Sequence, residues 1–159
     1  MKIAVIYYSY EGHCAQVAKI LQDILRADLF EIKTVDGKKR TGLAKYFWGG
    51  GQVMRKIKPP IKPLPVDTGK YDLIILGTPV WAGSPAPAMV SFLAGKNITG
   101  KKVALFCCND GGKGKVFQKL KALVSGNTIA GEIEFVRLAK TDPSLLKKKV
   151  AEWVKTIGA

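Results

Sequence analysis

Histidine occurs once in this chain, at His13, and cysteine three times, at Cys14, Cys107 and Cys108. No Cys-x-x-Cys pair and no cysteine–histidine spacing of the zinc-binding kind is present, which argues against a protein-held metal. An odd number of cysteines, two of them adjacent, argues against a disulfide framework. No apolar run approaches the roughly 20 residues needed to cross a bilayer. The opening run Lys2–Tyr8 is short and no small-residue cleavage site follows it, so no secretory signal and a cytoplasmic location are expected. The full Walker spacing Gly-x-x-x-x-Gly-Lys-Ser/Thr is missing, and so is the dinucleotide fingerprint Gly-x-Gly-x-x-Gly. Acidic residues are scarce, 12 against 26 lysines and arginines, leaving a formal charge of +14.

That excess has two readings, a nucleic-acid footprint or a well-solvated surface, and we expect no specific nucleic-acid partner. Its distribution is uneven. Between Gly37 and Val66 stand eight basic residues and no acidic one: Lys38, Lys39, Arg40, Lys45, Arg55, Lys56, Lys58 and Lys62. The same stretch carries Tyr46, Phe47 and Trp48. It suits docking to an acidic partner, with the aromatics as anchors. The aromatics can equally fold back onto the sheet, or form one wall of a cofactor pocket.

What is present in quantity is apolar patterning. The length, 159 residues, suits one domain. Lys2–Tyr8 is a nearly continuous β-favouring run, as expected of a strand covered on both faces. Val17, Ile20, Leu21, Ile24 and Leu25 recur at helical spacing. Leu29–Val35 reads as a second strand. Residues 34–71 hold Gly49-Gly50-Gly51 and four prolines, predicting an irregular excursion with at most one short helix. Leu73–Gly77 is a buried strand, Thr78–Ser84 a loop, and Pro85 suits the first turn of a helix running to about Ala94. Val103–Cys107 is a fourth strand, with a helix through Val116, Leu120, Leu123 and Val124 after the next loop. Glu132–Leu138 is a fifth strand. Asp142-Pro143 is a cap and first-turn pair for a last helix bearing Leu146, Val150, Trp153, Val154 and Ile157. Alternating strands and helices predict an α/β protein with a parallel sheet between two helical layers.

Parallel strands bring their carboxyl ends to one edge, where ligands bind. Three loops meet there. In Ser9-Tyr10-Glu11-Gly12-His13-Cys14, the amides of a helix start attract anions, Gly12 lets the backbone come close, and Ser9 adds a hydroxyl. This suits a phosphate; the plainer alternative is a strand-to-helix turn. In Pro79-Val80-Trp81-Ala82-Gly83, the tryptophan can stack on a planar ligand or pack over the sheet end. The third loop, Cys108-Asn109-Asp110-Gly111-Gly112-Lys113-Gly114, offers backbone donors and acceptors to the edge of a ring.

These residues resemble the flavodoxin family over nearly the whole chain. Tyr8-Ser9-x-x-Gly12 with Ala18 resembles its FMN phosphate loop. Val80-Trp81 resembles the loop whose aromatic residue stacks on the flavin, and Cys108–Gly114 the loop along the ring's other side. Lys45–Gly50 (Lys-Tyr-Phe-Trp-Gly-Gly) and Gly77–Gly83 (Gly-Thr-Pro-Val-Trp-Ala-Gly) are similar to motifs of its short members. The resemblance implies FMN as cofactor, a flavodoxin-like three-layer sandwich with a five-stranded parallel sheet of order 2-1-3-4-5, and electron transfer. It further implies that Ser9, Tyr10, Glu11, Gly12, His13, Cys14, Pro79, Val80, Trp81, Ala82, Gly83, Cys108, Asn109, Asp110, Gly111, Gly112 and Gly114 hold the cofactor. Two departures stand out. Glu11 and Cys14 occupy positions where the family usually has threonines. A thiol is the weaker donor, and a carboxylate repels phosphate, so Glu11 is expected to point away. Ala82 also stands where the family often has glycine.

Three functional readings follow: an FMN electron carrier serving a redox partner or a small-molecule acceptor, an FMN-dependent NAD(P)H oxidoreductase acting on quinones or similar acceptors, and a flavin-free basic binding module. The flavin carries the chemistry in the first two, so neither needs a protein acid–base triad. A phosphoacceptor receiver domain is excluded, because Thr78 and Pro79 stand where an acidic acceptor is required.

Overall fold

The computed structural model describes residues 1–37 and 43–159, apart from the side chains of Leu43 and Tyr46. Lys38, Lys39 and Arg40, at the heart of the expected docking patch, lie outside the described residues.

The elements in chain order are β1 (Ile3–Tyr8), α1 (His13–Leu25), β2 (Asp28–Ile32), α2 (Leu43–Met54), β3 (Leu73–Trp81), β4 (Ser84–Pro85), α3 (Pro87–Gly95), β5 (Lys102–Asn109), α4 (Val116–Leu123), β6 (Thr128–Val136) and α5 (Pro143–Thr156). Five strands form a parallel sheet of order β2-β1-β3-β5-β6, with the short β4 antiparallel to β3. Counting only the parallel strands, this is the expected 2-1-3-4-5. The chain moves outward from β1 to β2 and then crosses to the other side of β1. The order therefore reverses between β1 and β3, which opens a crevice at their carboxyl ends.

The continuous apolar strands are explained by their alternation. Ile3, Val5 and Tyr7 of β1 join Leu73, Ile75, Ala104 and Phe106 beneath α1 and α5. Ala4, Ile6 and Tyr8 join Ile74, Leu76, Val103 and Leu105 beneath α3 and α4. Each strand residue thus faces one helical layer or the other, and a period-two apolar set is needed on both sides. Asp142 caps α5 as expected, its carboxylate accepting from the Ser144 and Leu145 amides, with Pro143 in the first turn.

Four expectations are corrected. Thr78–Ser84 is no loop: β3 runs on through Pro79 and Val80 to Trp81, turns at Ala82 and Gly83, and returns as β4. Both turn residues have positive φ, +47° and +67°, as a two-residue hairpin of the primed type requires. Pro85 belongs to β4, and Pro87 opens α3. The glycine triplet lies inside α2, which at 12 residues is longer than the one short helix expected within the excursion. A Cβ on Gly49 would come within 3.2 Å of the Trp81 indole, so this glycine lets α2 lie close against the end of β3. Finally, β2 stops at Ile32. Beyond it Thr34 bridges Ile61, and the Val35 amide donates to Pro60, tying the proline-rich segment to the sheet edge.

Among the described residues, no helix is long and apolar enough to cross a membrane.

Candidate functional site

A cavity of about 420 Å³ opens at the carboxyl edge of the sheet, over the switch point. That volume falls within the usual range for a small-molecule or cofactor site. Its walls come from the three expected segments and from α2.

The first wall is the β1–α1 turn. Gly12 is the helix N-cap at φ +97°, a conformation that disfavours any residue with a Cβ. It has no side chain with which to cap α1, and the first turn holds no acidic residue. The positive end of the helix dipole therefore faces the cavity without a protein carboxylate in its own turn. Ser9 Oγ accepts from the Ala15 amide at 3.2 Å, which fixes the hydroxyl at the loop while its own proton remains to be donated. Ser9, Tyr10, Glu11, His13 and Cys14 line the cavity, whereas Gly12 shapes the turn behind them.

Glu11 does not simply point away. Its carboxylate forms an ion pair with Lys45 Nζ, delivered from the first turn of α2, and both residues border the cavity. The negative charge that looks wrong for an anion site is thus matched by a cation from the basic segment.

The second wall is the β3–β4 hairpin. Pro79, Val80, Trp81, Ala82 and Gly83 all line the cavity. Trp81 is half-buried, with the rings of Tyr8, Tyr10 and Trp48 packed around it at centroid distances of 6.0, 5.4 and 5.6 Å. Interplanar angles of 81°, 85° and 63° make these edge contacts, the favoured geometry for aromatic quadrupoles. The indole also lies against Gly49. Burial, followed by the nearby Tyr10 and Asp36, pushes the Tyr8 hydroxyl up to about 12, so it stays protonated at neutral pH.

The third wall follows β5. Cys108, Asn109, Asp110, Gly111 and Gly112 border the cavity. The loop is braced: Asn109 Oδ1 accepts from the Gly112 amide at 2.7 Å, and Asn109 Nδ2 donates to Glu134 at 3.2 Å. Arg137 donates from its amide to the Asn109 carbonyl at 2.8 Å and from Nε to the Asp110 carbonyl at 3.3 Å. Gly114 sits off the cavity, packed against the hairpin. A Cβ there would lie 2.5 Å from Gly83 Cα, and the Lys115 amide donates to the Gly83 carbonyl at 2.9 Å. Gly114 thus locks the second and third walls together.

Lys45, Gly49 and Gly50 line the cavity although spacing and composition do not place them there. The signal that was available is the Lys45–Gly50 motif quoted above. Thr78 is buried structure: its hydroxyl accepts from the Ala86 amide at 3.0 Å and holds the hairpin to α3. Among the described residues, no group of three or more histidine, cysteine or acidic side chains is placed to hold a metal ion.

A flavoprotein from Lactobacillus acidophilus NCFM, solved in complex with FMN, is 28% identical, with 84% of this chain and 92% of that one covered and a TM-score of 0.72. A protein of Bacteroides eggerthii DSM 20697 assigned as a flavoprotein is 24% identical over 99% of this chain and 98% of its own, with a TM-score of 0.80. Oxidised flavodoxin 2 from Bacillus cereus is 16% identical over 99% and 98%, with a TM-score of 0.61. No curated protein matches the chain. The profile of the family described as Flavodoxin matches residues 2–157. With its sheet order, its crevice at the β1/β3 switch point and that match over nearly its whole length, the chain belongs to the flavodoxin family.

Proposed function

We propose that this protein is an FMN-dependent electron carrier, built as a single domain and working in the cytoplasm with a redox partner protein. One observation supports the reading best. A single cavity joins a helix start whose N-cap glycine brings no capping side chain, an aromatic hairpin and a glycine-rich loop at the switch point of a flavodoxin sheet. The donor set fits a phosphorylated planar cofactor. The amides of α1's first turn, Ser9 and Lys45 would hold the phosphate. A Cβ at Gly50 or Gly111 would meet nothing within 4 Å, so these glycines keep the walls open for a large ring. The hairpin around Trp81 and the Asn109–Gly112 loop would flank that ring. A single anion site without a dinucleotide fingerprint favours FMN over FAD. When bound, FMN supplies the capacity to accept and release electrons singly or in pairs. The protein's own task is to grip it, shut out water on one side and leave an edge open.

The partner is proposed to be acidic. Phe47 and Met54 stand 81% and 84% exposed on α2, beside the exposed Arg55, Lys56 and Lys58, and α2 also forms one wall of the cavity. Exposed apolar residues ringed by one sign of charge suit a transient interface that orients two proteins by charge.

The test is a turnover assay. FMN-loaded protein mixed with NAD(P)H and a quinone is expected to stay oxidised until a separate flavin reductase is added. Sustained NAD(P)H oxidation by the protein alone would overturn the carrier reading and make it an oxidoreductase.

A further inference from the structure

The three cysteines carry thiols that electron transfer does not use. Cys107 and Cys108 are neighbours on β5, so they face opposite layers: Cys107 lies under α3 and α4, and Cys108 under α1 and α5. Cys14 is the second residue of α1 and shares the layer of Cys108. The two are 1% and 5% exposed, and both line the cavity. Cys14 and Cys108 belong to one packed cluster and border the same cavity. Two thiols from segments almost a hundred residues apart in sequence therefore meet on the wall where the phosphate loop joins the third loop. At this position a hydroxyl would be the stronger donor to an anion. What a thiol adds is chemistry.

We propose that Cys14 and Cys108 form a dithiol modification site that low-molecular-weight disulfides oxidise when the cavity is empty of cofactor, and that the resulting cross-link blocks cofactor binding. One protein thiolate attacks the small disulfide, forms a mixed disulfide and expels one thiol. The second protein thiol then displaces the other thiol. Two protein S–H bonds are lost and one S–S bond forms. The two protons and two electrons leave with the two small thiols, so atoms and electrons balance. The link ties the first turn of α1 to the end of β5. Its amides can then no longer adjust around a phosphate, and the floor of the cavity is drawn together.

Burial, reinforced by the neighbouring Cys108 side chain, holds the Cys14 thiol well above its ordinary pKa. It is therefore protonated at neutral pH and reacts slowly even in the empty cavity. Cys107, whose thiol burial pushes up to about 12, faces the other layer, away from Cys14 and Cys108. A bound cofactor covers the wall on which Cys14 and Cys108 lie. Reaction is thereby confined to the empty protein, and it is on FMN as occupant that this part rests on the proposed function.

The experiment treats the full chain with 2-hydroxyethyl disulfide, with and without saturating FMN, followed by intact mass and peptide mapping. Without FMN, the chain is expected to lose two hydrogens and yield a Cys14–Cys108 linked peptide, with the same result in Cys107→Ser. FMN is expected to slow linkage at least tenfold. Linked protein is expected to lose FMN binding and regain it on reduction with dithiothreitol. A link through Cys107, persistence of all three free thiols, or linked protein that binds FMN as before would overturn the proposal. Linkage in a chain that never binds FMN would support the dithiol and refute the FMN reading instead, so the two failures are told apart.

Discussion

Trp81 is the residue on which the aromatic contacts beside the cavity converge: Tyr8, Tyr10, Trp48 and Gly49 all pack on it. Trp81→Ala removes a half-buried ring and its edge contacts. It is expected to lower unfolding stability by about 2 kcal/mol, less than for a fully buried tryptophan. It should also weaken FMN binding at least fivefold, and urea melts with a fluorescence titration check both. Undiminished FMN affinity would mean that the indole serves only the protein's own packing. The neighbouring turn makes an opposite pair of predictions. Ala82 sits at φ +47°, a conformation that carries a cost for any residue with a Cβ, whereas Gly114 sits at φ +52° with no room for one. Ala82→Gly is expected to stabilise by about 0.5–1 kcal/mol, the relief of left-handed strain less the added freedom of the unfolded chain. Gly114→Ala is expected to destabilise by about 2 kcal/mol or more, through strain and a backbone clash. Denaturant midpoints of the two variants should move in opposite directions. From sequence alone Ala82 promises difficulty in reaching positive φ. In the folded chain it already holds that angle, because a two-residue hairpin demands it.

Among the elements, α2 departs furthest from what its residues suggest in isolation. Three consecutive glycines each disfavour a helix by about 1 kcal/mol. The helix forms because Gly49 accepts the face of Trp81, a contact between distant segments that no local pattern reports. The β3–β4 hairpin is hidden for a similar reason: Thr78–Ser84 reads as a loop, yet Val80 and Trp81 pair with Pro85 and Ser84. The sheet strands and α5 are legible because burial on two faces leaves a continuous apolar run and because Asp142-Pro143 is a strong start signal. The position of Lys45 is not legible, since it depends on where α2 docks. Its placement beside Glu11 yields a test. Lys45→Ala strips a cation from the loop and leaves the Glu11 carboxylate uncompensated. It should raise the FMN dissociation constant about tenfold, on the order of 1 kcal/mol for a partly exposed pair, and leave riboflavin binding unchanged. Equal losses for both ligands would place the effect on folding rather than on phosphate. At the last helix, hydrogen bonds from the Ser144 hydroxyl and then the Leu145 and Ser144 amides hold the Asp142 carboxyl below its ordinary value of 3.8. A lowered folded pKa means a contribution present above 3.8 and lost as pH falls through the lower folded value. Asp142→Asn should therefore flatten the acid limb of stability below that pH, as read by thermal melts across it.

At the scale of the whole molecule, 26 basic residues against 12 acidic ones give the protein a positive overall field. Such a field favours an anionic cofactor at rest and any negative charge that it gains on reduction, within the reach allowed by salt screening. The architecture supplies the rest: a crevice at the strand-order reversal, a helix start aimed into it, and two walls locked together by Gly83 and Gly114. The fold class and the three segments at the sheet edge follow from alternation and spacing. The fourth wall does not, because it is assembled by tertiary contact. The account stands on the claim that this crevice holds FMN with its phosphate at the β1–α1 turn. Titration of cofactor-free protein with FMN, riboflavin and FAD in turn, monitored by quenching of flavin fluorescence, tests it most directly. The account predicts one FMN bound per chain, riboflavin bound at least tenfold more weakly for want of the phosphate, and FAD no tighter than FMN. Riboflavin binding as tightly as FMN, or no quenching by any of the three, would contradict it.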